Sequence, residues 1–448
     1  MNIYIHCEIV SRELDSKLLL AITAAAKGHE VLVSDVETIE KGVARGFLKP
    51  GIFHTKSLTP SEAKIKRHSM LIKAGLKITS IDEEGGLTSK NYDNMSKIRY
   101  SSKTINQSSA VFAWGKDDYK TLRKNFSKFN SKIYKTGSPR ADLWQPKFSN
   151  YWKKPKNLPK KPYLLISSNM NVCDVQHFYE RIQSDRKSGY FERDPNHFIE
   201  RFKVKSNNFI KAIEFINAIK HLSKFNNGYT IVLRPHPIEN VNCWKILLEG
   251  ISNIHIVREG SIDSWLKNSF AIMHNGCTTA LEAAISKKPV VTYKHPSIKT
   301  NINFNFVNQF GYSVTNKESL LNKINNIFNK KKFDDKEDYK TSSIISKKIF
   351  IDDKETAANK IIKIWEVLNE KSLSKINNWF IFTLHLKKMR FNGFIGRSLK
   401  LIKKEDTSKF PSLNHYQINQ KVNELRKILG IKKKIECKLL SNRAILIR

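Results

Sequence analysis

The sequence predicts an α/β protein of two doubly wound parallel-sheet domains facing across a cleft, followed by a basic C-terminal extension. Three observations predict it. Short apolar runs alternate with amphipathic helical runs, the mark of successive βαβ units. The alternation stops in a Lys- and Pro-rich stretch at 151–162 and then starts again. The run Phe270–Tyr293 (FAIMHNGCTTALEAAISKKPVVTY) reads as strand, polar loop, helix and strand. Its loop lies at the strand's C-terminal edge, where open α/β sheets bind ligands.

Taken in order, Asn2–Val10 reads as a strand and Leu14–Lys27 as a helix with a broad apolar face. Gly28 ends it, and His29–Ser34 is the next strand. The loop between them carries Arg12 and Glu13 but no G-x-G-x-x-G, so a dinucleotide site is not expected there. Gly51–Thr55, Lys77–Ile81, Ala110–Trp114 and Lys132–Lys135 are further strands, with helices near 61–74 and 117–125. They complete an N-terminal domain over 1–150. Residues 151–162 form the linker. A second strand series follows at Tyr163–Ile166, Tyr229–Leu233, Ile254–Val257, Phe270–Met273 and Val290–Tyr293, with helices at Phe209–Phe225, Asn242–Glu249, Ile262–Lys267 and Thr279–Ser286. The polar, aromatic insertion at 171–206 is expected to cap the cleft, and a helix at Glu355–Glu370 to close this domain, which spans 163–372. The remainder, 373–448, is basic and dotted with aromatics. It reads either as a membrane-facing amphipathic helix or as a helical extension packed on the first domain.

A formal net charge of +38 implies a polyanionic neighbour: nucleic acid, an anionic membrane surface or a phosphorylated substrate. The five cysteines are scattered, with no C-x-x-C pair, which argues against a disulfide scaffold or zinc site and fits a cytoplasmic setting. No apolar run is long enough to span a bilayer. The absence of Asp-x-Asp, H-x-x-H, G-x-S-x-G and Walker patterns leaves metal-dependent, hydrolase and P-loop chemistry without a signature, so no cofactor or metal is expected.

Four loops at strand C-termini carry candidate chemistry. Asp82, Glu83 and Glu84 precede a Gly pair; crowded carboxylates raise one another's basicity, which suits a general base, though acids beside glycine also form ordinary solvated turns. His236 stands between two prolines in R-P-H-P, beside Arg234, and either group could neutralise a departing phosphate. Gly276, Thr278 and Thr279 open a helix whose N–H groups favour phosphate, with Glu282 one turn in; the plainer reading is a Thr-capped helix with a surface acid. The fourth is Thr136–Asp142 (TGSPRAD), containing Arg140, which reads as a cleft loop or as a turn into the linker.

Together, over about residues 1–370, the two-domain series, the D-E-E-G-G loop, the R-P-H-P loop and HNGCTTALEAAISKKPVV resemble GT-B glycosyltransferases of bacterial surface polysaccharide synthesis. The opening RELDSKLLLAITAAAKGHEVLVSD looks like the group called surface carbohydrate biosynthesis proteins. The acid-acid-Gly and His-Pro pair is also similar to bacterial sialyltransferases, Kdo transferases and CDP-glycerol glycerophosphotransferases. The resemblance implies Glu83 as base, with Asp82 and Glu84 beside it, and His236, Thr278 and Thr279 at the donor phosphate. Three acids before the Gly pair depart from the pattern and leave open which one acts.

The expected function is metal-independent transfer of a sugar from a nucleotide-activated donor, CMP-sugar before UDP-sugar, to a glycan or lipid-linked acceptor. Donor contacts are assigned to Arg234, Gly276, Thr278, Thr279, Glu282, Ser168 and Asn169, and acceptor contacts to Arg12, Glu13 and Arg140. The basic tail would meet an anionic inner-membrane surface. The alternatives are a UDP-sugar 2-epimerase-like enzyme and a polyanion- or nucleic-acid-binding protein. The nucleic-acid reading has no recognised motif behind it.

Overall fold

The computed structural model describes residues 1–84, 92–170, 175–187, 190–193, 196–236, 239–299, 306–309, 311–330, 334–369, 376–398 and 410–448. Two compact units emerge, one built from the chain up to residue 151 and from 346 onward, the other from 152–345.

The first unit begins with six parallel strands: β1 (Asn2–His6), β2 (Glu30–Ser34), β3 (Gly51–Thr55), β4 (Leu76–Ile81), β5 (Ser108–Ala113) and β6 (Ile133–Lys135). They are near-continuous apolar runs, as a sheet covered on both faces requires. The helix after β1 spans Val10–Ala26 and is buried on every side from Ser16 to Ala25, as a helix apolar nearly all round requires. It starts earlier than Leu14, so Arg12 and Glu13 belong to its first turn rather than to a loop. Gly28 ends it at φ +86°, donating its N–H to Ala25 O.

The second unit holds β7 (Tyr163–Ser167), β8 (Thr230–Arg234), β9 (Ile254–Ile256), β10 (Ala271–His274), β11 (Val290–Tyr293) and β12 (Tyr312–Val314), all parallel. Their order is β12-β11-β10-β7-β8-β9. Numbered within the unit, that is 3-2-1-4-5-6 from the β9 edge, the dinucleotide-fold order, with its switch point between β7 and β10. Part of the 171–206 insertion is helical, as Val175–Lys187 and as the N-terminal turns of His197–Phe225.

The chain then returns to the first unit. Helix Ala357–Asn369, expected to close the second domain, packs instead against Val10–Ala26. Trp365 donates from Nε1 to Thr79 Oγ1 at 3.0 Å, and Glu366 pairs with Lys27 and His29. Helix Trp379–Ser398 buries Phe382 and Leu386 in a cluster with Tyr4, Leu32, Phe53 and Leu446. Burying Phe382 alone contributes ~2–3 kcal/mol. The hairpin β13 (Cys437–Ser441) and β14 (Ala444–Ile447) then adds antiparallel to β2, extending the sheet to β13-β14-β2-β1-β3-β4-β5-β6. The C-terminal stretch therefore packs on the first unit, as the second reading of the tail expects, and also lengthens its sheet. Cys243 is disulfide-bonded, which the scattered cysteines gave no reason to expect.

Candidate functional site

At the switch point of the second sheet, β7 runs into Ser167, Ser168 and Asn169, and β10 into His274–Thr279. Asn169 Nδ2 donates to Gly276 O at 3.3 Å, joining the two loops across the crevice. Gly276 sits at φ +83°, a conformation a side chain would strain. Thr278 occupies the N-cap position of helix Thr279–Ile285 but its hydroxyl makes no capping bond, contrary to the plain Thr-cap reading. Thr279 Oγ1 lies 3.3 Å from Cys277 Sγ. Glu282 is buried, 3% exposed, so it is not a surface acid.

The loop after β8 is held by an acid that sequence reasoning did not single out. Glu239, 1% exposed, accepts from Ser168 Oγ, from Met170 N at 2.5 Å, from Trp244 Nε1 at 3.0 Å and from His236 N at 3.3 Å. One buried carboxylate thus locks the β7 and β8 loops together and fixes the backbone of His236. Its position three residues after the His was the signal available. Arg234 donates Nη1 to Glu259 O at 2.9 Å and Nη2 to Gly260 O at 2.6 Å. Its terminal nitrogens therefore brace the loop after β9. Lys211, on helix His197–Phe225, is 4% exposed and within electrostatic reach of Cys277 and Glu239. Burial lowers it to about 8, with those two neighbours opposing the shift. Nothing in its Lys-rich helix distinguishes it by sequence. His274 is held neutral by burial, pushed down to about 3, and shares a hydrogen with Thr292 Oγ1 at 2.9 Å.

In the first unit, the three acids after β4 do not crowd one another, because each faces a cation. Asp82 is gripped by Arg99 through Nε and, at 2.6 Å, through Nη2, and it also accepts the Glu84 N–H at 2.9 Å. Its own carbonyl receives Trp114 Nε1 at 2.7 Å. Those contacts commit Asp82 to holding the loop. Glu83 is buried against Lys17, with Oε1 on the ammonium and Oε2 buried without a hydrogen-bond partner. Glu84 is half exposed between Arg12 and Arg99, each at 3.2 Å. Glu13 is fully buried and accepts Glu8 N–H at 2.8 Å and Arg12 Nη2 at 3.2 Å. Burial alone would raise its carboxyl, but Lys17, the Glu8 N–H, Lys56 and Arg12 bring it below its usual range. A carboxylate so enclosed cannot touch an acceptor, which corrects that expectation for Glu13.

Among solved structures, one described as a UDP-N-acetylglucosamine 2-epimerase from Listeria monocytogenes superimposes with a TM-score of 0.50 at 12% identity, over 84% of this chain and 97% of that one. The fold class is GT-B: two doubly wound parallel-sheet domains. The wall teichoic acid polymerase TagF soaked with CDPG scores 0.49 at 11% identity, over 84% and 90%. The UDP-GlcNAc 2-epimerase of Methanocaldococcus jannaschii, with UDP-GlcNAc and UDP, scores 0.46 at 16%, over 82% and 100%. At such identities the likeness concerns the fold alone. No family model and no curated protein matches the sequence.

Of the expected residues, the fold therefore gathers Ser168, Asn169, Gly276, Thr278 and Thr279 at one crevice, with the His236 loop tied to it through Glu239. It gathers Arg12, Glu13 and Asp82–Glu84 at another sheet edge. Gly85 and Gly86 of the acid loop and Pro237 of R-P-H-P lie outside the described residues. Arg140 lies 5.4 Å over the Trp144 ring, on the short helix Pro139–Asp142 that packs against Val10–Ala26. Its loop is structural, since Asp142 Oδ2 accepts the N–H of Ala358 at 3.2 Å at the start of the returning helix. Among the described residues no group of three or more His, Cys, Asp or Glu is arranged to hold a metal, and no helix is long and apolar enough to cross a membrane.

Proposed function

We propose that this protein is a glycosyltransferase that moves a sugar from a nucleotide-activated donor to a glycan or lipid-linked acceptor in surface polysaccharide synthesis, with CMP-sugars the first donors to try and UDP-sugars next. The observation that carries the reading is the polar crevice at the switch point of the second sheet, braced by buried Glu239 and flanked by buried Lys211. In this reading the donor phosphates lie against Ser168, Asn169 and Gly276–Thr279. His236 and Lys211 supply the positive charge that stabilises the departing phosphate, while Glu282 takes the ribose hydroxyls.

Proton removal from the acceptor hydroxyl is assigned to the first unit. Glu83 is the preferred base, its Oε2 without a hydrogen bond but buried, so that an acceptor hydroxyl reaches it only once that oxygen is uncovered; Glu84, half exposed, is the alternative. As the proton passes to the carboxylate, the hydroxyl oxygen bonds to the anomeric carbon and the bond to the phosphate breaks. A single base suffices for inversion. A cytoplasmic protein peripheral at the inner membrane face fits helix Trp379–Ser398, which exposes Phe380, Ile381, Leu384 and Phe391 beside Lys387, Lys388 and Arg390.

The epimerase reading is compatible with the fold shared with the neighbour described as a UDP-N-acetylglucosamine 2-epimerase. The two readings separate in one experiment, in which the protein is incubated with CMP- and UDP-sugars with and without a panel of lipid-linked and soluble saccharides. Nucleotide release that requires acceptor, with the sugar appended to it and lost in Glu83→Gln, supports transfer. Conversion or cleavage of UDP-GlcNAc without acceptor supports the epimerase reading and overturns transfer.

A further inference from the structure

The first unit has a switch point of its own. Its chain steps from β2 across β1 to β3, so the crevice falls at the C-terminal ends of β1 and β3. A pocket of about 290 Å³ opens there, with His6, Cys7 and Glu8 on the β1 side and Thr55 and Lys56 on the β3 side. Lys64 and Arg67, from helix Glu62–Lys73, and Phe410 and Arg443, from the returning chain, complete the charged and aromatic wall. Asp35 and Val36 form the remaining side.

The lining holds Lys56, Lys64, Arg67 and Arg443 against Glu8 and Asp35, and Arg67 also pairs through Nε with Glu40 at 2.6 Å, so four positive groups face three negative. Asp35 is already spent as a helix cap, its oxygens taking Thr38 N and Oγ1 at 2.9 Å each, and Glu8 pairs with Lys56. His6 adds no charge, since burial pushes it down to about 3. Lys64, anchored to Ser57 Oγ at 2.8 Å, is lowered to about 8 by burial and by the charges of Lys56, Arg67 and Arg99, against the opposing pull of Asp82. An anion in the pocket would relieve that crowding of cations. Arg443 lies 5.7 Å over the Phe410 ring, which gives the site an aromatic face beside its charge.

We infer that this pocket binds an oxyanion-bearing saccharide group, a sugar phosphate or a sugar acid. Its volume sits at the lower limit of small-molecule sites (~300–1,000 Å³), enough for one charged sugar but not for a nucleotide sugar. Two lining residues connect it to the acid loop and to the helix beside it. Glu8 gives its N–H to Glu13, and Lys56 accepts the N–H of Glu83 at 3.1 Å. The bound group is therefore the anionic part of the acceptor, an assignment that rests on the transferase reading, whereas the binding itself does not.

The test is titration calorimetry on the full chain with glucose 6-phosphate, glucuronate, glucose and inorganic phosphate, run in parallel with a nucleotide. One charged sugar should bind at least tenfold more tightly than glucose and than inorganic phosphate. Which of the two charged sugars it is distinguishes phosphate from carboxylate recognition. Arg67→Gln and Arg443→Gln should each weaken it at least tenfold, Arg67→Lys should recover part of the loss, and the thermal unfolding transition followed by circular dichroism should stay near the wild-type value, showing that each variant is folded. The inference is overturned if neither charged sugar binds, if glucose or inorganic phosphate binds as well, or if binding survives both substitutions. Failure of nucleotide binding alone strikes the proposed function and leaves this result standing.

Discussion

Replacing Glu239 with Gln tests the brace at the second unit's crevice. The carboxylate accepts from Ser168 Oγ, Met170 N, Trp244 Nε1 and His236 N and is 1% exposed. Glutamine has the same shape but turns one acceptor into a donor, so some of these buried donors must face an NH₂ group. A hydrogen bond to a charged acceptor contributes ~1.5–3 kcal/mol, and each buried donor left unmade costs ~1–3 kcal/mol. Because the four share one carboxylate they do not add, and a loss of ~3–5 kcal/mol is expected. In a unit of this size 1 kcal/mol moves Tm by ~2–4 °C, giving a fall of ~6–20 °C in thermal unfolding followed by circular dichroism. Nucleotide affinity, measured below the transition, should drop at least tenfold, because the Ser168 and His236 loops lose their common anchor. A Tm change under ~2 °C with unchanged affinity would refute this role for Glu239.

Other outcomes follow from the same geometry. Burial raises the Asp118 carboxyl to about 7, against ~3.9 in an unfolded chain, so the folded state holds the proton more tightly. Its penalty is absent below ~pH 4, grows as pH rises between those values and is complete above ~pH 7, reaching ~4 kcal/mol. Asp118→Asn should therefore raise Tm at about pH 8.5 far more than at about pH 4.5; equal shifts would contradict this. Lys17→Met should destabilise by ~3–5 kcal/mol in urea unfolding by stranding Glu83, and adding Glu83→Leu should recover most of it without restoring transfer. If the double variant is no better than the single, the pair is not coupled. Gly276→Ala, at φ +83°, should cost ~1 kcal/mol of stability and at least tenfold in nucleotide affinity; unchanged affinity would remove the loop from the site.

Much of the fold was legible because parallel strands buried on both faces are written as apolar runs: GIFHT is β3, and YLLI and VVTY fall in β7 and β11. The hairpin of β13 and β14 was not, since Lys438 and half-exposed positions dilute its pattern and its partner β2 lies some 400 residues away. Helix Ala357–Asn369 looked like a cap on the preceding domain because its apolar stripe says that it packs but not on what. At the sites, the loops at strand ends could be found by position. Which acid is spent on structure could not, because that depends on Arg99 and Lys17 arriving from elsewhere in the sequence. Lys211 and Glu239 were missed for the same reason: their burial, not their neighbours in sequence, singles them out.

Everything proposed for the second unit requires it to bind a nucleotide at its switch point. A thermal-shift panel of CMP, CDP, UDP, GDP and TDP tests it most directly, on the wild-type chain and on His236→Ala and Lys211→Met. A ligand at a hundred times its Kd stabilises by ~2.7 kcal/mol, which corresponds to ~5–10 °C here. Such a rise is expected with one nucleotide, CMP or UDP first, together with its loss in both variants. No shift with any nucleotide in folded protein, or a shift that both variants retain, would contradict it.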